Sequence, residues 1–173
     1  LEREPGLGSK PCGGGVSPEV ARWFDFDFKP AIGATASRFR FTYEGADPVE
    51  VEPGTVEPLW LVRREGFDAF LGAQAVAEGA ELKTGCPALG LRFEEGAWTV
   101  ETPDGPQRGR YLVAADGAKG GMARALGFTK RRYRVAGALE AECATPAAPG
   151  HPLCLDFGTV KRSAQIPPEI KEA

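Results

Sequence analysis

The 173 residues carry 21 Lys and Arg against 24 Asp and Glu, a formal net charge of −3, with 42% hydrophobic and 26% charged residues. This composition suits a globular chain rather than a disordered one, and it lacks the basic excess of a general nucleic-acid binder. Four cysteines (Cys12, Cys86, Cys143, Cys154) with no CxxC pair, and one histidine, His151, argue against a disulfide framework, a zinc site and His-based catalysis.

In chain order, residues 1–3 read as the tail of a strand, and Lys10-Pro11-Cys12-Gly13-Gly14-Gly15 as a glycine-rich turn. Ser17-Pro18-Glu19 predicts a helix start: Ser17 caps, Pro18 suits the first helical position and Glu19 favours the positive end. Val20, Trp23 and Phe24 would be the buried stripe of that helix. Residues 35–43 alternate as a strand, with Phe39 and Phe41 on one face and Arg38 and Arg40 on the other. Gly45-Ala46-Asp47-Pro48 is a turn signal, and 49–52 and 59–63 are short strand candidates around Pro53-Gly54.

The clearest helix runs over 67–78, with Phe67, Phe70, Leu71, Gln74 and Ala77 near one face and Gly79 ending it. A strand over 80–84 follows, then a hairpin of 89–93 and 98–102 turning at Glu94-Glu95-Gly96-Ala97. Residues 110–115 read as an apolar strand running into Asp116-Gly117, and 135–142 as one more strand. The Pro- and Ala-rich stretch 145–152 is a loop. Lys130-Arg131-Arg132 with Arg134 is a solvated surface turn, with an anion or membrane-surface patch as the alternative. The order of elements predicts an α/β (α+β) chain, a dinucleotide-type domain interrupted by an antiparallel sheet. No apolar stretch approaches the ~18 residues of a membrane span. The first residues contain neither an initiator Met nor a signal peptide, which predicts a chain beginning inside a longer protein. The cysteine usage suits a reducing, cytoplasmic setting, with membrane association as the alternative.

Four places carry chemistry. An acid at a strand end, Glu2, is where Rossmann-type folds bind an adenosine ribose, and it is also an ordinary surface glutamate. Three consecutive glycines let backbone approach a flat ligand or adopt positive φ, and they also make a flexible loop. Cys12 precedes them near a helix start, where a thiolate is favoured; a buried, inert thiol is the other reading. Arg64 and Asp68 in Arg64-Glu65-Gly66-Phe67-Asp68 are placed to pair or to hold the turn into the main helix. An apolar strand ending in Asp116-Gly117 puts a carboxylate at a sheet edge where open α/β folds bind ligands, although Asp-Gly is a common turn.

Taken in order, Leu1-Glu2-Arg3, Lys10-Pro11-Cys12-Gly13-Gly14-Gly15-Val16-Ser17, Arg64-Glu65-Gly66-Phe67-Asp68 and Ala115-Asp116-Gly117-Ala118 closely resemble the geranylgeranyl reductase family of flavoproteins, within the wider p-hydroxybenzoate hydroxylase-like group. The resemblance covers about residues 1–158. It implies a partial FAD-binding Rossmann-like domain over 1–34 and 64–130, substrate-domain strands over 35–63 and 131–160, and an atypical tail over 161–173. By the same resemblance Glu2 binds the adenosine ribose, Arg3 is a further cofactor-binding residue, and Cys12 with Gly13, Gly14 and Gly15 lies beside the isoalloxazine and substrate. Arg64 positions the cofactor, and Asp116 with Gly117 sits close to it. FAD would carry the redox chemistry, NAD(P)H is the implied electron donor, and a prenyl or isoprenoid molecule the substrate, reduced at a double bond with Cys12 giving the proton. Peripheral membrane contact and a complementing chain are further implied partners.

Gly120 and Ala123 depart from the Ser and Arg of the family pattern, and the block begun at Leu155-Asp156-Phe157-Gly158 breaks off into Lys161-Arg162-Ser163. The glycine-rich phosphate turn that should stand about 20 residues before the ribose acid does not lie within this sequence. The chain by itself is therefore expected not to hold FAD. A flavin-dependent aromatic monooxygenase and a non-enzymatic remnant are the alternative readings.

Overall fold

A computed structural model describes residues 1–54, 57–117, 120–128, 140–141 and 152–158. In chain order its elements are β1 (Gly15–Val16), a 3-10 helix (Pro18–Trp23), a 3-10 turn (Lys29–Ala31), β2 (Ala34–Ala36), β3 (Phe39–Tyr43), β4 (Ala46–Val51), β5 (Leu59–Leu61), α1 (Arg64–Ala77), β6 (Gly90–Glu94), β7 (Ala97–Glu101), β8 (Gln107–Gly109), α2 (Met122–Ala125) and β9 (Leu153–Phe157). They divide between two compact units, one of Leu1–Cys12 and Arg64–Ala141, the other of Gly13–Arg63 and Glu142–Ala173. Among the described residues the architecture is mixed α/β with three small sheets of three strands each.

The unit containing Gly13–Arg63 holds two of these sheets. In one, β5 is central and runs antiparallel to both β1 and β2, with Gly15 opposite Leu61 and Thr35 opposite Trp60. An aromatic cluster fills the space under it. Phe24, Phe26 and Phe28 meet at centroid distances of 4.8 to 5.5 Å, and Phe28, 2% exposed, packs on Trp60. Such tilted pairs add about 0.5–1.5 kcal/mol each beyond their buried area. The expected helical stripe is corrected here. The segment after Ser17 is a six-residue 3-10 helix, capped by Ser17 through the Glu19 amide at 3.3 Å. A 3-10 turn repeats every three residues and presents no 3.6-period face, so Trp23 is 83% exposed and Phe24 remains part-exposed.

In the other sheet β3 is central, antiparallel to β4 and parallel to β9. The strand expected over 35–43 is split into β2 and β3, and the stacked Phe39 and Phe41 rings share the expected face. Glu44 and Gly45, both at positive φ, make the turn, so the turn lies one residue ahead of the expected place and Asp47-Pro48 belong to β4. Asp156 on β9 fastens this corner: its Oδ1 accepts the Thr42 hydroxyl at 2.6 Å and the Gly45 amide at 2.9 Å.

In the unit containing Arg64–Ala141, α1 begins three residues before the expected helix and ends at Ala77, one residue before the expected end, with Gly79 turning the chain at φ +94°. Phe67 is buried, and Phe70, Leu71 and Gln74 are half-buried, while Ala77 is exposed. Gly72 gives the helix a flat spot on which Leu7 rests, since a Cβ there would overlap the Leu7 side chain. The hairpin β6–β7 turns through Glu95 and Gly96, both at positive φ, the primed geometry that matches strand twist. Val100 and Thr99 of β7 are buried in this unit, and β8 completes the sheet.

Three expected strands of this unit are corrected. Residues 1–3 and 80–84 are not regular strands, yet their backbones bond: Glu2 N–H donates to Lys83 O, Cys86 N–H to Glu2 O and Gly85 N–H to Glu4 O, each at 2.8 Å. Bends after Glu2 and the positive φ of Gly85 stop the ladder before it becomes regular, and Cys86 is buried beneath it, 1% exposed. Residues 110–115 form no strand either. Among the described residues the ladder beside β7 ends at Gly109, and Tyr111 and Val113 are 88% and 85% exposed. Apolar composition makes a strand only where a neighbour satisfies its amides and carbonyls. The strand expected over 135–142 and the loop over 145–152 fall almost wholly outside the described residues, as do Ala118, Cys143, His151 and the basic run from Lys130 to Arg134.

The hydrogen bonds from Thr42 first and Gly45 second hold the Asp156 carboxyl below its usual range. A depressed carboxyl contributes stability that is complete above its unfolded pKa of about 3.9 and disappears as pH falls through the lower folded value. The stability gap between the parent and Asp156→Asn should thus be constant above about pH 5 and close as pH falls below about 4. Urea midpoints across that range measure it, and a gap unchanged in acid would contradict the assignment.

Gly13 and Gly14 should respond in opposite ways to alanine. Gly14 sits at φ +70°, and a Cβ there would overlap the Val62 carbonyl, whereas a Cβ on Gly13 meets nothing within 4 Å. Gly14→Ala should cost roughly 2–4 kcal/mol, and Gly13→Ala less than about 0.5 kcal/mol, in denaturant titrations.

Candidate functional site

The first turn of α1 builds a two-pronged ion pair. Arg64 is the opening residue of the helix and Asp68 stands one turn on. Arg64 Nε donates to Asp68 Oδ1 at 2.8 Å and Arg64 Nη2 to Asp68 Oδ2 at 2.7 Å, a two-pronged pair at side-chain exposures of 31% and 21%. Such a fork fixes the guanidinium plane and leaves its remaining N–H groups aimed in set directions. One of them reaches Cys12. Hydrogen bonds to Asp68 first and Cys12 second hold Arg64 charged well above the ordinary arginine range, against the opposing effect of burial.

Cys12 is exposed, so the buried, inert reading does not apply to it; Cys86 is the buried thiol of this unit. The loop that carries Cys12 is seated on the helix at backbone level. Gly8, at φ +79°, lies so close to the Arg64 carbonyl that any Cβ would overlap it. Lys10 N–H donates to Gly8 O at 2.7 Å and closes a tight turn just before Cys12.

The three glycines after Cys12 belong to the other unit and differ in purpose. Gly14 is buried against Val62, whose N–H donates to Gly14 O at 2.9 Å. Gly15 opens β1. Gly13 is exposed with open space on its Cβ side. The same unit holds a cavity of about 610 Å³ lined in part by Ser17, Arg22, Ala36, Phe39 and Leu59. Arg22 pairs there with Glu19 at 2.7 Å.

The remaining sequence-derived candidates are anchored separately. Glu2 is tied by its backbone to Lys83 and Cys86, and its Oε1 accepts the Glu4 amide at 2.9 Å. Arg3 is an exposed partner of Glu4. Asp116 Oδ2 accepts the Met122 amide at 2.8 Å and so caps α2, and Gly117 turns the chain at φ +80°. The position of Asp116 also explains the departure at Gly120, because a side chain there would overlap the Asp116 carboxylate and carbonyl. The structure thus joins Cys12 to Arg64, and it gives Glu2 and Asp116 partners of their own. Asp68 was foreseen only as a helix-turn partner of Arg64, and its link to Cys12 has no signal in local sequence. Among the described residues no group of three His, Cys, Asp or Glu side chains could hold a metal ion, and no helix is long and apolar enough to cross a membrane.

No family model matches the chain. It is 25% identical over 152 residues to an uncharacterized protein of Methanosarcina barkeri, covering 87% of this chain and 39% of that protein. It is 30% identical over 137 residues to digeranylgeranylglycerophospholipid reductase 2 of Methanothermobacter thermautotrophicus, covering 74% of this chain and 35% of the reductase. A shorter match, 39% over 61 residues, links it to rifampicin monooxygenase of Streptomyces venezuelae, covering 35% of this chain and 13% of that enzyme. The chain therefore spans little more than a third of the length of the first two relatives. In fold it is similar to a geranylgeranyl bacteriochlorophyll reductase-like protein of Thermoplasma acidophilum, at TM-score 0.50 and 24% identity over 61% of this chain and 28% of that one. It is also similar to a variant of halogenase PltM solved in complex with FAD, at TM-score 0.53 and 19% identity over 73% of this chain and 30% of that one. At low identity and over part of those proteins' length, these likenesses support a relation to FAD-dependent oxidoreductases.

Proposed function

We propose that this chain is part of a flavin-dependent reductase acting on prenyl, geranylgeranyl-type double bonds, with FAD as cofactor and NAD(P)H as the source of electrons. The observation that carries this reading is the exposed Cys12 sulfur under the fixed Arg64 cation, immediately before a glycine with an open flank. Saturating an isolated alkene takes one hydride and one proton, delivered to adjacent carbons. A thiol beside a permanent cation is an acid suited to the second role, because the cation stabilises the thiolate left behind.

The residues fit such a cofactor in their donor chemistry. Gly13 lets a flat ring approach the backbone where any other residue would interpose a side chain. Glu2 spends Oε1 on the Glu4 amide, which leaves Oε2 to accept a ribose hydroxyl. Asp116 and Gly117 form an exposed turn whose carboxylate is oriented by the Met122 amide. Once reduced by NAD(P)H, bound FAD would supply the hydride. Cys12 would give its proton to the second alkene carbon, Arg64 would hold the resulting thiolate, and a proton from solvent would restore the thiol. In the other unit, Ala36, Phe39 and Leu59 offer an apolar wall suited to a prenyl chain, and Ser17 and Arg22 a polar edge.

The second reading is a flavin-dependent aromatic monooxygenase, favoured by the match to rifampicin monooxygenase. A hydroxylase has no evident need for an acidic thiol beside the substrate. In a full-length relative, replacing the cysteine equivalent to Cys12 by alanine should lower alkene reduction at least about tenfold while leaving flavin occupancy unchanged. Equal losses in both would make the thiol structural, and hydroxylated product formed from oxygen and reductant would favour the monooxygenase.

A further inference from the structure

We propose that Asp68 is a positioning residue that acts on Cys12 through Arg64, holding the guanidinium against the sulfur and balancing its charge there. The inference deepens the reading of Cys12 as a proton donor and rests on that reading for its use, although its test needs neither flavin nor substrate. Three observations carry it.

The first is the two-pronged pair itself. Both Asp68 oxygens are taken up by one face of the fork, at 2.8 and 2.7 Å, so the guanidinium cannot rotate without breaking two charge-assisted bonds. The second is the extra contact from the same guanidinium to Cys12, which makes a chain of carboxylate, cation and sulfur. The third is the backbone seat under the Cys12 loop. Gly8 against the Arg64 carbonyl and the Lys10-to-Gly8 hydrogen bond fix the loop to the residue that supplies the cation. Cys12 and Arg64 therefore approach one another because the backbone brings them there as well as through attraction.

Charge arithmetic makes the arrangement useful. A lone arginine against a thiol drives it to thiolate, and a thiolate has no proton to give. A carboxylate on the far side of the guanidinium offsets part of that pull. The charged groups on the two packed segments are Lys10 on the loop and Arg64, Glu65 and Asp68 on α1; Lys10 and Glu65 are exposed, and the contact chain runs through Arg64 and Asp68. In this arrangement Asp68 tempers the pull of Arg64 on the Cys12 proton.

The test is the pH dependence of Cys12 alkylation by iodoacetamide, read at that residue by peptide mass spectrometry so that the other cysteines do not contribute. Asp68→Asn keeps an acceptor for Arg64 but removes the negative charge. It should move the Cys12 titration to lower pH by about half a unit or more, raising alkylation near neutrality severalfold. Arg64→Met should move it the other way. The double variant should follow Arg64→Met alone, because Asp68 acts through the guanidinium. A titration unmoved or raised in Asp68→Asn would overturn the proposal. So would single variants that shift in the same direction, which is the pattern of simple structural loosening. Should Arg64→Met fail to fold, the Asp68→Asn titration decides alone. Failure of the titration would leave the reductase assignment standing, whereas loss of that assignment would come from product analysis.

Discussion

Two backbone contacts with no room for a side chain hold the segment from β5 into α1. Gly14 presses on the carbonyl of Val62, and Gly8 on the carbonyl of Arg64. Both glycines lie at positive φ, a conformation that costs other residues roughly 1 kcal/mol or more even before steric overlap is counted. In one unit the Gly14 contact starts the ladder of β1 on β5. In the other the Gly8 contact seats the Cys12 loop on the first residue of the main helix. The strand-to-helix turn is thus the place where sequence composition becomes chemical placement, because the same residue, Arg64, offers its carbonyl to Gly8 and its guanidinium to Asp68 and Cys12.

Elements closed by local rules were legible in the sequence. The β6–β7 hairpin follows from Glu95-Gly96, α1 from its apolar spacing and the terminal Gly79, and the Phe39 and Phe41 face from alternation. Elements that depend on distant partners were not. The parallel pairing of β9 with β3 joins residues more than a hundred positions apart. The apolar run at 110–115 carries strand composition without a strand, and Trp23 sits on the exposed side of a helix too tight to show an amphipathic face. The candidate site divides in the same way. Cys12, Arg64 and the glycines stood out individually, and pairing of Arg64 with Asp68 was readable from helical spacing. Contact of Arg64 with Cys12 arises only through the fold.

In the proposed reading that contact matters because alkene reduction needs an acid beside the substrate, whereas hydroxylation of an aromatic ring does not depend on one. An exposed thiol beside a cation whose charge is shared with a carboxylate suits that role. Asp116 is anchored by a different contact: its Oδ2 accepts the Met122 amide at the start of α2, and a side chain at position 120 would overlap that carboxylate.

The most direct measurement is the absorption spectrum of a flavin-loaded protein carrying this sequence, recorded as pH is raised through the thiol titration. A thiolate in contact with oxidised flavin gives a long-wavelength charge-transfer band. With Cys12 beside the ring, that band should grow with pH and be absent from Cys12→Ser at equal flavin occupancy. Identical spectra for the two proteins at every pH, with flavin fully bound in both, would place the thiol away from the cofactor and contradict the mechanism.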